Sequence, residues 1–154
     1  MEQNLIKKDN IFTKKLFKDK ESVLEFFSEI LVKNGKVSDE FKEALLEREK
    51  NYPTGLLVGD INVAIPHADS VYVKESEILL CTLKNPIPFK RMDMPDEEVE
   101  VSIVILLAIN SPDDHIEILQ KIISLIQNQD ILKKIFNESD NDKISEILSN
   151  FFGS

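Results

Sequence analysis

Three side chains in this sequence have the type and setting to handle an anion, and two of them are its only histidines, His67 and His115. His67 follows Pro66, which fixes the local backbone and helps to end the strand before it. Imidazole has an unperturbed pKa of about 6.5. At neutral pH it is mostly uncharged and can attack an electrophile without a separate base. A histidine at a strand end is also an ordinary half-buried surface residue, and the pattern alone leaves both readings open. His115 falls in the first turn of a helical segment, in step with Leu119, Ile122 and Ile126. Its ring therefore leans to the core side, over the helix N-terminus. Free backbone N–H groups and the helix dipole favour an anion there and disfavour a second positive charge. That setting suits a phosphate beside a neutral imidazole; the plain alternative is a first-turn histidine with no task.

Arg48 is the third. It continues the apolar stripe Phe41, Ala44 and Leu45, in a chain that uses lysine for every other cation but Arg91. A guanidinium directed inward needs an anion, because an unpaired buried charge is costly. The competing reading is a side chain that snorkels outward at a helix C-terminus. Thr54 lies one turn later and offers a hydroxyl, or is simply a turn residue. Asp69 or Asp114 could complete a metal site with the two histidines, a weaker reading, since a catalytic zinc usually wants three protein ligands.

Composition narrows the chemistry. The chain has 154 residues, about one domain, with 42% hydrophobic and 31% charged residues. Acidic residues number 28 against 19 basic, a net charge of −9. That balance argues against nucleic acid and against an anionic membrane surface. Four scattered glycines (Gly35, Gly55, Gly59, Gly153) are too few for a Walker-type or dinucleotide-binding loop. The single cysteine, Cys81, excludes an internal disulfide and a cysteine-based zinc site, and its apolar surroundings mark a buried structural thiol. The opening MEQNLIKKDN lacks an apolar signal core, and the apolar stretch Ile103–Ile109 is too short to span a bilayer. The expectation is a cytoplasmic protein with one domain over residues 1–154.

The elements that must position these side chains follow from periodicity. Ile11–Phe17 reads as a short edge strand, and Lys20–Lys33 has a helical period that ends at Asn34-Gly35. Ser38 is the expected N-cap of a second helix, which Tyr52-Pro53 stops after Lys50. Strands are expected over Ile61–Ile65, Ile78–Leu83 and Val99–Ile109, with a proline-rich loop from Asn85 to Glu98. Ser111-Pro112-Asp113-Asp114 is a helix start, with Pro at the first helical position. The helix runs to about Gln127, and two shorter helices follow over 130–136 and 141–152. Strands alternating with helices predict an α/β sandwich with a mostly parallel sheet. If the strands before His67 and His115 are parallel neighbours, the two histidines meet at one sheet edge.

The strings EREKNYPTGL, VAIPHAD and NSPDDHIEILQKI, in that order, resemble the enzyme IIA components of the bacterial sugar phosphotransferase system, in the fructose–mannitol superfamily. The likeness extends to IFNESDNDKISEIL near the C-terminus, and Tyr-Pro-Thr-Gly looks most like the galactitol-type branch. It implies a mixed five-stranded sheet flanked by helices, and a phosphoryl carrier with neither cofactor nor metal. By matching motif, His67 would accept the phosphoryl group from phospho-HPr and pass it to enzyme IIB, with enzyme IIC served indirectly. His115 would stabilise the transferring group, Arg48 would neutralise its charge, and Thr54 matches the motif with a less defined role. No enzyme IIB or IIC sequence is attached, which implies a free-standing subunit. HPr proteins generally carry a basic patch, so an acidic surface around His67 would steer docking. A regulatory IIA-like module, of the nitrogen-control kind, would use the same site.

Overall fold

The computed structural model describes residues 5–153. Residues 1–4, part of the opening segment read above for a signal core, and Ser154 lie outside them. Along the chain, β1 (Ile11–Lys15) and α1 (Lys20–Lys33) lead to α2 (Phe41–Asn51) and the short strands β2 (Gly55–Leu56) and β3 (Val63–Ala64). The long strands β4 (Glu77–Lys90) and β5 (Glu98–Ala108) follow, then α3 (Pro112–Ile126), α4 (Gln129–Asn137) and α5 (Asn141–Gly153). The sheet order is β1-β4-β5-β3-β2.

Alternation along the central strands divides the core into two layers. On one face, Val23, Leu24, Phe27 and Leu31 of α1 and Phe41 and Leu45 of α2 meet Leu79, Cys81, Val104 and Leu106. On the other, Ile78, Leu80, Ile103, Ile105 and Leu107 meet Ile118, Ile122 and Leu125 of α3 with the apolar residues of α4 and α5. Each strand residue feeds the layer its side chain points to, which is the period-two rule of a sheet covered on both faces. Cys81 sits in the first layer, where burial pushes its thiol up to about 12. At that value it is a packing group and not a nucleophile.

The mixed five-stranded sheet and its flanking helices are as expected, but the parallel share is smaller. β1–β4 and β3–β5 are parallel, whereas β4–β5 and β2–β3 are antiparallel. The unbroken apolar run of β5 reflects helices on both faces, a burial that says nothing of strand direction. The expected loop from Asn85 is half strand. β4 continues to Lys90, with Ile87 and Phe89 buried and Pro86 and Pro88 exposed. A register shift between Thr82 and Ile87 absorbs the first proline, and β1 pairs β4 only as far as Leu83, so the prolines meet a free edge.

Two smaller departures concern the site. The strand before His67 is just Val63–Ala64, extended by one bridge between His67 and Leu107. Ser38 does not cap α2, which starts at Phe41 without a side-chain cap. Its N–H is donated to the Tyr72 carbonyl beside the Val37–Val73 bridge, and its buried Oγ has no hydrogen-bond partner. Between α2 and β3, Gly55 is required by proximity: a Cβ there would stand 2.6 Å from the Lys90 carbonyl oxygen.

Candidate functional site

The parallel pairing of β3 with β5 decides where the histidines go. Leu107 donates its N–H to the Pro66 carbonyl (3.0 Å), so the chain after β3 is still held to β5 when it reaches His67. β5 ends at Ala108, and Ser111 with Pro112 begins α3, which places His115 in its first turn. The rings meet edge to face, with centroids 5.2 Å apart and planes at 63°. The expected juxtaposition of the two histidines is present.

His67 is half-buried, and its Nδ1 lies 3.0 Å from the Ile65 carbonyl oxygen. A carbonyl can only accept, so Nδ1 carries the proton and Nε2 keeps its lone pair. Burial lowers the His67 pKa below its ordinary value, and the charges of Arg48 and His115 lower it further; the bond to Ile65 works the other way. His115 is lowered by burial first and then by Arg48. Both shifts keep the rings neutral near pH 7.

Arg48 reaches this pair from the opposite layer. It lies in the last turn of α2, where the dipole favours a cation, with its guanidinium carbon 5.4 Å from the centre of the Tyr52 ring. Its Nε is buried without a hydrogen-bond partner, and among the described residues it forms no ion pair. A guanidinium in this condition is matched by an arriving planar or tetrahedral oxyanion. A helix from each layer and a strand end from the sheet thus bring Arg48, His115 and His67 to one place.

Thr54 is placed differently from the other three. It is 2% exposed, and its hydroxyl donates to Oε1 of Glu49 at 2.8 Å while its N–H donates to Oε2 at 2.9 Å. Glu49 is the one residue of this neighbourhood that its sequence pattern does not single out. A signal exists all the same: Phe41, Leu45 and Glu49 repeat at four-residue spacing, so the stripe that reaches Arg48 also reaches Glu49. A carboxylate in the last turn of a helix opposes the dipole, which calls for dedicated donors.

The surface around the histidines carries carboxylates and apolar side chains together. Asp69, Asp113, Asp114, Glu117 and Glu47 are exposed, as are Val71, Tyr52 at 66% and Ile116 at 62%. His67 and His115 are themselves half-buried beside these exposed residues. A cavity of about 570 Å³ lies between α1 and α2, lined by Glu47 and Glu49 but by neither histidine. Among the described residues no group of three His, Cys, Asp or Glu side chains is placed to hold a metal ion. Asp69 accepts the N–H of Val71 and caps the short turn Ser70–Tyr72.

The model of the phosphoenolpyruvate-dependent sugar phosphotransferase system EIIA 2 family matches residues 4–151. The galactitol-specific EIIA component of Escherichia coli (strain K12) is 31% identical over 119 residues, 77% of this chain and 79% of that one. The crystal structure of IIA mannitol from Escherichia coli superposes with a TM-score of 0.74 at 25% identity, covering 93% of this chain and 98% of that one. The same score and identity relate this chain to enzyme IIA in a complex with phosphorylated enzyme IIB of the Escherichia coli mannitol system, over 92% and 95% of the two chains.

Proposed function

The chain belongs to the phosphoenolpyruvate-dependent sugar phosphotransferase system EIIA 2 family, the phosphoryl carriers of that system, and we propose that Nε2 of His67 is the atom that carries the phosphoryl group. One arrangement supports this above all. A half-buried imidazole with a committed Nδ1–H faces a second neutral imidazole, beside a guanidinium that has no anion of its own.

The Nε2 lone pair forms the new N–P bond as the donor's N–P bond breaks, and that electron pair returns to the donor nitrogen. Phosphoryl transfer asks mainly for in-line positioning and for cationic or N–H donors around the equatorial oxygens. Ile65 fixes the ring, Arg48 offsets the added negative charge, and His115 with the N-terminus of α3 receives the oxygens. The Thr54 hydroxyl donates its hydrogen bond to Glu49, so Thr54 serves the site through its backbone and not as a donor to phosphate. The onward step reverses the first, with an acceptor on the partner attacking phosphorus.

Phospho-HPr is the donor and enzyme IIB the acceptor in this reading, and enzyme IIC is reached only through IIB. The complex of the related mannitol proteins supports the second partner, and the exposed carboxylates around His67 support a basic first one. The likeness to the galactitol component favours transport of a sugar alcohol over a regulatory role. The whole chain is read as one such domain, and its location as cytoplasmic. No helix among the described residues is long and apolar enough to cross a membrane.

Incubation with phospho-HPr tests the assignment. Wild type acquires one acid-labile phosphate, and His67→Ala acquires none, a loss of at least about a thousandfold in labelling rate, as when a nucleophile is removed. Stable acid-labile phosphate on His67→Ala overturns it.

A further inference from the structure

Glu49 is almost completely buried, at 4% exposure, and its hydrogen bonds go to Thr54 and to neither histidine. Burying a carboxylate is expensive, and burial indeed raises the Glu49 pKa, against the bonds from Thr54 and the charge of Lys20. Stability alone is poorly served by such a group, since an apolar residue of similar volume would fill the place at lower cost. What the carboxylate does is take both donors of a single residue, one with each oxygen.

The bonds do not stop at Thr54. Its carbonyl accepts the N–H of Ile65 at 3.3 Å, continuing the antiparallel β2–β3 ladder past Gly55 and Ala64. The Ile65 carbonyl then accepts Nδ1–H of His67 at 3.0 Å. An unbroken run of hydrogen bonds therefore joins the last turn of α2 to the imidazole. β2 and β3 pair through only two residues each, too little to fix this segment unaided. Arg48 and Glu49 are neighbours in α2, so one turn of helix supplies the charge partner of the site and holds its ring.

We propose that Glu49 is a positioning residue: it clamps Thr54, and through Thr54 and Ile65 it holds His67 in the Nδ1–H tautomer with Nε2 aimed outward. The inference rests on His67 being the phosphoryl acceptor, but its first readout does not. Above the His67 titration, the ring 15N shifts report which nitrogen holds the proton, without any donor present. Wild type gives Nδ1–H alone. Glu49→Ala gives a mixture of tautomers, and its maximal rate of phosphoryl transfer falls about tenfold while the donor concentration for half-maximal rate is unchanged. Glu49→Gln restores both, because its amide oxygen accepts the Thr54 N–H while its NH2 donates to the Thr54 hydroxyl.

A folded Glu49→Ala protein with wild-type tautomer and rate overturns the proposal, and so does a Glu49→Gln protein as damaged as Glu49→Ala. Should Glu49→Ala fail to fold, Thr54→Val removes only the hydroxyl bond. A several-fold loss of rate with a shifted tautomer then supports the clamp, and full activity overturns it. Failure of the wild type to be labelled at all would sink the His67 assignment instead, leaving the tautomer result to stand by itself.

Discussion

Two helix ends meet at the histidine pair, and they are held to different degrees. The C-terminus of α2 is closed: Glu49 is spent on Thr54, the Tyr52 N–H bonds the Arg48 carbonyl at 2.6 Å, and Pro53 and Thr54 are buried behind it. The N-terminus of α3 is open: Ser111 makes no side-chain cap bond, and Pro112, Asp113, Asp114 and Ile116 are exposed. In the proposed mechanism the closed end fixes the groups whose geometry transfer cannot relax, the guanidinium and the ring of His67. The open end lies exposed to an arriving partner, and its dipole points the right way for the phosphoryl group of the proposed mechanism.

Charge at the closed end gives the sharpest way to break this contrast. Arg48→Gln keeps a planar, hydrogen-bonding head on a shorter side chain and removes the cation. Transfer from phospho-HPr should fall about a hundredfold, near 3 kcal/mol of lost stabilisation. The pKa values of His67 and His115 should both rise, since Arg48 lowers each, while remaining below the ordinary value of 6.5 because burial is the larger cause. The sign extends to stability. With the folded pKa of His67 depressed, the unfolded chain takes up the proton first, so stability falls as pH drops from about 6.5 to the folded midpoint and is flat below it. Arg48→Gln narrows that window. Unchanged histidine titrations by NMR together with an unchanged rate would remove Arg48 from the site.

Much of this arrangement is legible in the amino-acid sequence. Pro66 before His67, the Ser-Pro-Asp-Asp start of α3 and the out-of-place Arg48 each carry a local physical reason, and those reasons act over a few residues. Parallel β3 and β5 then bring the histidines together, as strand and helix order imply. Glu49 is not legible in the same way: its role depends on Thr54 and Ile65, which reach it only once β2 folds back on β3. The strand from Ile87 to Lys90 is hidden because proline argues for a loop, and only the missing neighbour beyond Leu83 makes Pro86 and Pro88 harmless. The even split between parallel and antiparallel pairings is hidden for a similar reason, because apolar content reports burial and not direction.

At the open end the effect should be smaller. His115→Ala removes the ring beside His67, which in the proposed mechanism meets phosphoryl oxygens without bonding to phosphorus. The protein should still be labelled by phospho-HPr, while transfer to enzyme IIB slows about tenfold, less than the loss when a fully preorganised oxyanion donor is removed. The His67 pKa should rise slightly as well, His115 being the weakest of the influences that lower it. A loss equal to that of Arg48→Gln in quench-flow measurements would make the two helix ends equivalent, and the contrast between them would not survive.

The smallest effect tests the openness of α3 directly. An N-cap side chain that bonds a first-turn N–H contributes about 1 kcal/mol, and its truncation to alanine loses that amount. Asn128 does this for α4, accepting the N–H of Ile131 at 3.1 Å. Ser111 stands at the same position of α3 on the same face of the sheet and makes no such bond; Pro112 sets the first helical residue instead. Asn128→Ala should therefore lower the unfolding free energy in urea by about 1 kcal/mol, and Ser111→Ala by less than about 0.5 kcal/mol. Transfer rates should be untouched in both, since neither side chain reaches the histidines. If Ser111→Ala proves as costly as Asn128→Ala, the start of α3 is capped in solution. His115 would then be held as firmly as Arg48, and the division between a fixed and an open side of the site would fall.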